Sequence, residues 1–207
     1  MINPKKHWNN IYKTTEHKDV GWYQESPQIS LAIFDIINAS VRDSVIDIGC
    51  GASVLVDNLI SKGFKSITLL DLSEEALLIV KSRLKDEGSV PHYLALDITQ
   101  PMNLNKKFNI WHDRAVFHFL TNKNDRKSYL NNLENVLLPD GFAIIGTFAL
   151  DGPDKCSGLD IVQYDEAKMR LELSKNLYIS KSIMHTHVKP SGNKQAYIYF
   201  IIRNKST

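Results

Sequence analysis

Five short, nearly continuous apolar runs mark the chain: SVIDIG (44–49), SITLLDL (66–72), HYLALDI (92–98), FNIWHD (108–113) and FAIIGTFA (142–149). Unbroken apolar runs of this length are expected of strands covered on both faces, as in a parallel sheet. Segments of helical period lie between them. Ser73 caps one in which Ala76, Ile79, Val80 and Leu84 recur at helical spacing, with Glu74 and Glu75 in the first turn, where the helix dipole favours acids. A second covers 124–137, with Tyr129, Leu130, Leu133, Val136 and Leu137 on one face and Pro139-Asp140-Gly141 to stop it. A third begins at Ser26 with Pro27 in its first turn and is expected to turn Ile29, Ile33, Ile36 and Ile37 inward. Alternating strands and helices predict an α/β fold, a doubly wound and mostly parallel sheet. After residue 176 the pattern changes. LYISKSIMHTHV (177–188) and QAYIYFIIR (195–203) flank KPSGNK (189–194) as the arms of an antiparallel hairpin would.

Composition narrows this picture. With 207 residues, 43% of them hydrophobic, the chain suffices for one substantial core, so residues 1–207 are expected to form a single domain. A net charge of +2 with no basic stripe argues against a nucleic-acid partner. Neither a signal-peptide core nor an uninterrupted run of about 20 apolar residues is present, so no membrane role is expected. Cys50 and Cys156 make neither a metal-type spacing nor a disulfide framework, which fits a reducing compartment and a cytoplasmic location.

The most informative stretch is VIDIGCGAS (45–53), a strand that runs into a glycine turn. In a doubly wound sheet this turn lies where ligands bind, beyond the carboxyl ends of the strands. Gly49 and Gly51 let the backbone pass close to a ligand. The dinucleotide fingerprint asks for a third glycine where this chain has Val54, which speaks against NAD. Asp47 would put a carboxylate where pyrophosphate lies in dinucleotide enzymes; it repels phosphate and suits a cation. Asp71 ends the second run, placed to accept hydrogen bonds from ribose hydroxyls, and Asp97 ends the third, within reach of an adenine amino group. The inferred ligand is a nucleoside with a positive, phosphate-free tail. S-adenosylmethionine has this form.

The ordered motifs VIDIGCGAS, LLDLS (69–73), ALDIT (95–99), FNIWHDRAVFHFL (108–120) and VLLPDGFAIIGTF (136–148) resemble those of class I S-adenosylmethionine-dependent methyltransferases. The resemblance implies a seven-stranded sheet of order 3-2-1-4-5-7-6 with the last strand antiparallel. It also implies a cofactor site built from Asp47, Gly49, Cys50 and Gly51, from Asp71 with Leu72, from Asp97 with Ile98, and from His112. The opening segment, HWNNIYKTTEHKDVGWYQESPQISLAI (7–33), is similar to the start of small methyltransferases that modify protein lysines or thiols, in which aromatics fold over the cofactor. Residues 1–25 are therefore expected to form a lid carrying Trp8, Tyr12 and Trp22, ahead of a core spanning 26–207. Where the lysine enzymes tend to carry acid, lysine and glycine in the fourth motif, this chain has His112-Asp113-Arg114.

Methyl transfer from a sulfonium is an in-line displacement and needs few groups beyond those that hold the acceptor in line. Asp113, just past the fourth strand, is the expected group for orienting or deprotonating the acceptor. His112 is expected beside it, toward the cofactor's methionine portion. Arg114 is read either as a binder of an acceptor carboxylate or as half of an internal ion pair. Other residues receive plainer readings: His118 sits in the helix after the fourth strand, His185 and His187 share a strand face, and with Cys156 they do not make a metal site. The loop DGPDKCSGLD (151–160) leaves the sheet at the ligand edge, where it can shape the acceptor pocket. The activity expected is methyl transfer to a small-molecule thiol, amine or carboxylate. The alternatives are a protein-lysine methyltransferase and a silent cofactor-binding regulatory module.

Overall fold

The computed structural model describes residues 3–85 and 91–205, so Met1 and Ile2 of the expected lid lie outside the described residues. Helix α1 (Pro4–Thr14) opens the chain, capped by the Asn3 side chain on the Lys6 N–H with Pro4 in its first turn. Then follow α2 (Gln28–Ile36), β1 (Ser44–Ile48), α3 (Leu55–Ser61), β2 (Ser66–Asp71), α4 (Glu74–Arg83), β3 (His92–Ala95) and β4 (Phe108–Arg114). Beyond a single 3-10 turn at Phe117–Phe119 come α5 (Lys123–Val136), β5 (Leu137–Phe148), a two-residue ribbon β6 (Lys155–Cys156) and β7 (Leu159–Asp160), α6 (Glu166–Glu172), β8 (Leu177–Val188) and β9 (Lys194–Asn204).

Seven strands form one sheet in the order β3-β2-β1-β4-β5-β9-β8. The pairs from β3 through β5 are parallel, and β9 runs antiparallel to both β5 and β8. This is the expected doubly wound sheet with its C-terminal hairpin. Side chains alternate between two core layers. Val45, Leu69, Ile110, Ile144 and Tyr199 pack beneath α2, α3 and α4. Ile46, Ile48, Trp111, Ile145 and Phe200 pack against α5 and α6 with Tyr129, Leu133 and Met169.

The structure corrects several boundaries. Pro27 is the N-cap of α2 rather than a first-turn residue. Ile36 points outward, 45% exposed, because α2 is only nine residues long and Ile33, Phe34 and Ile37 already cover its inner face. Helix α5 passes directly into β5. Phe108 pairs with Leu137 but Ile110 with Phe142, so Pro139-Asp140-Gly141, expected to end a helix, forms an outward bulge in a strand. Strand β3 stops at Ala95, at the sheet edge, where His92 and Ala95 are exposed and Tyr93 and Leu94 only half-buried rather than covered on both faces.

Gly146 of β5 pairs with Arg114 on one side and Tyr199 on the other. A Cβ at this glycine would stand 2.6 Å from the Tyr199 ring, so the bare backbone is what lets the phenol lie across the sheet. Gly146→Ala should therefore destabilise the fold by about 1–3 kcal/mol, as overpacking does. Urea unfolding measures this, and an unchanged midpoint would show that the ring has other room.

Candidate active site

The turn after β1 is left-handed at both glycines, with φ +58° at Gly49 and +54° at Gly51. Side chains there would collide with neighbours: a Cβ on Gly49 would lie 2.1 Å from Val116 Cγ2, and one on Gly51 2.4 Å from Tyr12 Oη. The turn is tied to β2 by Asp71. One carboxylate oxygen accepts the Gly51 N–H at 2.8 Å, and the other accepts the Ser73 N–H at 2.7 Å. Burial pushes the Asp71 carboxyl up to about 6, against the pull of those two N–H groups. Burial, and then the proximity of Asp71, holds the Tyr12 hydroxyl well above its ordinary value.

Strands β1 and β4 are in register at Asp47 and His112. The imidazole Nδ1 lies 2.7 Å from the Asp47 carboxylate, and Nε2 lies 2.9 Å from Ser30 Oγ on α2. A carboxylate only accepts, so Nδ1–H donates. All three residues are at most 4% exposed. They close one wall of a recess whose floor is the glycine turn. The segment between α1 and α2 roofs it with His17, Val20, Trp22, Tyr23 and Gln24, and Arg114 stands in its wall as well.

Helix α1 docks on α4 through a Ser73 Oγ to Asn9 Oδ1 hydrogen bond of 2.7 Å and through Lys5–Glu74 and Lys13–Glu75 ion pairs. Trp8 does not line the recess; it stands edge-on to Trp22 and to Phe119, 5.6 and 5.2 Å away between ring centroids. The roof is further held by its own carbonyls. Arg114 Nη1 donates to Trp22 O, and His187 Nε2 meets Gly21 O, both at 2.9 Å.

Asp47, Gly49, Cys50, Gly51, Tyr12, Trp22 and His112 thus meet at one recess. Other expected positions differ. Asp97 lies past β3, its Oδ1 accepting both the N–H and the hydroxyl of Thr99 in a local turn. Ile98 is buried in the α5-side layer, and Leu72 is half-buried behind Asp71; neither lines the recess. The main correction is Asp113. It was expected to face an acceptor at the sheet edge, but strand alternation turns it to the opposite layer. There it is 0% exposed and accepts from Val116 N at 2.8 Å, Phe117 N at 3.0 Å and Tyr129 Oη at 2.6 Å, while Trp111 Nε1 donates to Tyr129 Oη at 2.8 Å. Its geometry is that of a residue holding the chain after β4 in shape. The sequence reading missed Ser30, His17 and Gln24. Of these only Ser30 carried a signal, being three residues before Ile33 and on the inner side of α2.

S-adenosylmethionine can be tested against these groups. Both glycines turn the backbone left-handed where it lines the recess, and a buried carboxylate at the end of β1 supplies the negative partner a cationic, phosphate-free tail requires. The residues fit the cofactor. Residues 45–141 match the sequence family described as Methyltransferase domain. With the strand order, this makes the protein an S-adenosylmethionine-dependent methyltransferase of class I fold. Among similar proteins, the Danio rerio EEF1A lysine methyltransferase 2 is 28% identical over 158 residues, covering 70% of this chain and 68% of that protein. Two solved structures share the fold at lower identity. One, solved in work on the conversion of a disulfide bond into a thioacetal group during echinomycin biosynthesis, superposes with TM-score 0.78 at 14% identity, over 98% of this chain and 92% of the other. The N-methyltransferase NodS from Bradyrhizobium japonicum WM9, solved with S-adenosyl-L-homocysteine, gives 0.70 at 16% identity, over 96% and 98%. Among the described residues no helix is long and apolar enough to cross a membrane, and no group of three or more potential ligands could hold a metal.

Two outcomes follow from the acids. Asp71→Ala should weaken S-adenosylhomocysteine binding by about 1.5–3 kcal/mol by calorimetry, the scale of hydrogen bonds to a charged group. Asp113 is lifted by burial to about 6 from an ordinary 3.8, so between those values the folded protein keeps a proton that the unfolded chain releases. Its contribution to stability is thus full at about pH 4 and lost as pH rises to about 6. Asp113→Asn should flatten that part of the unfolding profile. Asp113→Ala leaves three donors without an acceptor and should cost about 3 kcal/mol or more, while cofactor affinity in the folded fraction persists.

Proposed function

We propose that the enzyme transfers the methyl group of S-adenosylmethionine to a small-molecule nucleophile, with a thiol or carboxylate better suited than an amine. The observation that carries this reading is the charge at the acceptor end of the recess. Asp47 is committed to His112, Asp113 faces the other layer, and Arg114 brings a cation to the recess lining. A lysine ammonium, ordinarily titrating near about 10.4, must lose a proton before it attacks and would meet another cation on arrival. A thiol, near about 8.5, needs little help, and a carboxylate arrives ionised.

In this reading Asp71 holds the ribose, Asp97 with Leu72 and Ile98 flanks the adenine, and Asp47 with His112 and the Gly49-Cys50-Gly51 turn receives the methionine portion. The bound cofactor supplies an already activated methyl group. The protein's share is to orient the acceptor and exclude water. Residues 3–25 act as the lid: Tyr12, Trp22 and Tyr23 close the recess, and Trp8 braces them from behind. The two free cysteines accord with a cytoplasmic setting. A second reading has support of its own, since the aligned Danio rerio relative is named a lysine methyltransferase.

Incubation with methyl-labelled cofactor decides between them, using a panel of small thiols, carboxylates and amines beside purified elongation factor 1A and lysate protein. Label is expected in the low-molecular-weight fraction. Label confined to protein lysines would overturn the small-molecule reading. Truncation of residues 1–25 should abolish turnover while the sheet persists by circular dichroism.

A further inference from the structure

Arg114, the last residue of β4, shares the face of His112 and reaches over the bare backbone of Gly146 toward β9. Its guanidinium lies 5.4 Å from the centre of the Tyr197 ring. Nη1 is taken by Trp22 O. Nε and Nη2 are buried and have no hydrogen-bond partner. These two atoms form the side-on edge of the guanidinium, the pair of N–H groups that matches the two oxygens of a carboxylate.

No acid answers this charge. Among the described residues Arg114 joins no ion pair. The groups around it are Tyr197, Tyr199 and Cys156, whose protons burial holds on, the Cys156 thiol being pushed up to about 11. His118, His185 and His187 stand near enough for Arg114 to help keep them neutral. Tyr199 lies beside the guanidinium without closing a well-formed bond to it, and the buried hydroxyls of Tyr197 and Tyr199 are themselves unpartnered. A guanidinium stays charged wherever it is placed, and a buried charge left without a counter-ion is costly. The arrangement is chemically suited to an anion.

We infer that Arg114 is the specificity-determining residue of this enzyme and that its acceptor is a small molecule bearing a carboxylate, held on the Nε–Nη2 edge beside the Tyr197 and Tyr199 hydroxyls. The inference rests on the small-molecule reading above. A carboxylate could also come from the cofactor's own methionine. Arg114 reaches away from the glycine turn, over β5 to β9, which assigns it to the acceptor.

The test uses thiol acceptors in matched pairs, 3-mercaptopropionate against its methyl ester and 2-mercaptobenzoate against its methyl ester, with the wild type, Arg114→Met and Arg114→Lys. The wild type should prefer the acids in kcat/KM by about a hundredfold, the scale of a desolvated charge pair. The preference should collapse toward unity in Arg114→Met through KM, and be partly kept by Arg114→Lys, which offers a charge without the fork. Loosening the roof through Trp22 O acts alike on both members of each pair, so the acid-to-ester ratio reads the acceptor contact alone. An acid preference that survives undiminished in Arg114→Met would take Arg114 away from the acceptor and overturn the inference. So would a wild type that methylates acids and esters alike, an outcome that leaves the small-molecule reading standing. Label found only in protein overturns both. If Arg114→Met does not fold, the wild type saturated with S-adenosylhomocysteine still answers: the acids should raise its melting temperature and the esters should not, and equal shifts would refute the idea.

Discussion

A buried chain of three side chains holds this site in register: Ser30 on α2, His112 on β4 and Asp47 on β1, linked at 2.9 and 2.7 Å. Each residue comes from a different element, and each is nearly sealed from water. A carboxylate so placed is tolerable only with a donor opposite it, and the imidazole, fixed by one nitrogen to the acid, presents the other to Ser30 of α2, tying that helix to the sheet. The glycine turn begins two residues after Asp47, and the recess wall continues two residues after His112. The geometry of the glycine turn and that of the wall at Arg114 therefore descend from the same pairing.

Much of this was legible in the chain. The alternating strands, the terminal hairpin, the glycine turn and the acid at the end of β2 follow from apolar runs and period, while the strand order came from the resemblance of the ordered motifs. What the reading lost was parity. Asp113 and His112 are neighbours, and a position just inside a strand end says nothing about which face a side chain takes. The answer lay in the partners: Asp47 and His112 share a register row, whereas Asp113 pairs across to Ile48 and Ile145, both members of the α5-side core. The bulge at Pro139–Gly141 was hidden for another reason. Proline, aspartate and glycine mark the end of a helix and a strand irregularity equally well, and only the pairing of β5 with β4 separates the two. Ser30 and the roof residues were invisible because their roles depend on what folds over them.

The site is also polarised along β4. His112 looks toward the acid of β1, and Arg114, one pleat further on, looks toward the phenols of β9. A single strand thus separates a negative pole, suited to a cationic cofactor tail, from a positive one. A ligand pair of opposite charges is aligned by such a field before any contact is made, and exclusion of water strengthens the field.

The roof is fastened at Gly21 and Trp22, and both fastenings are made to main-chain oxygens. Every residue type offers the same oxygen. These two hydrogen bonds therefore survive exchange of the side chains at Trp22, Tyr23 and Gln24, whereas the ring contacts of Trp22 and Tyr23 do not, which makes Gln24 the ready place in this segment for a change of preference.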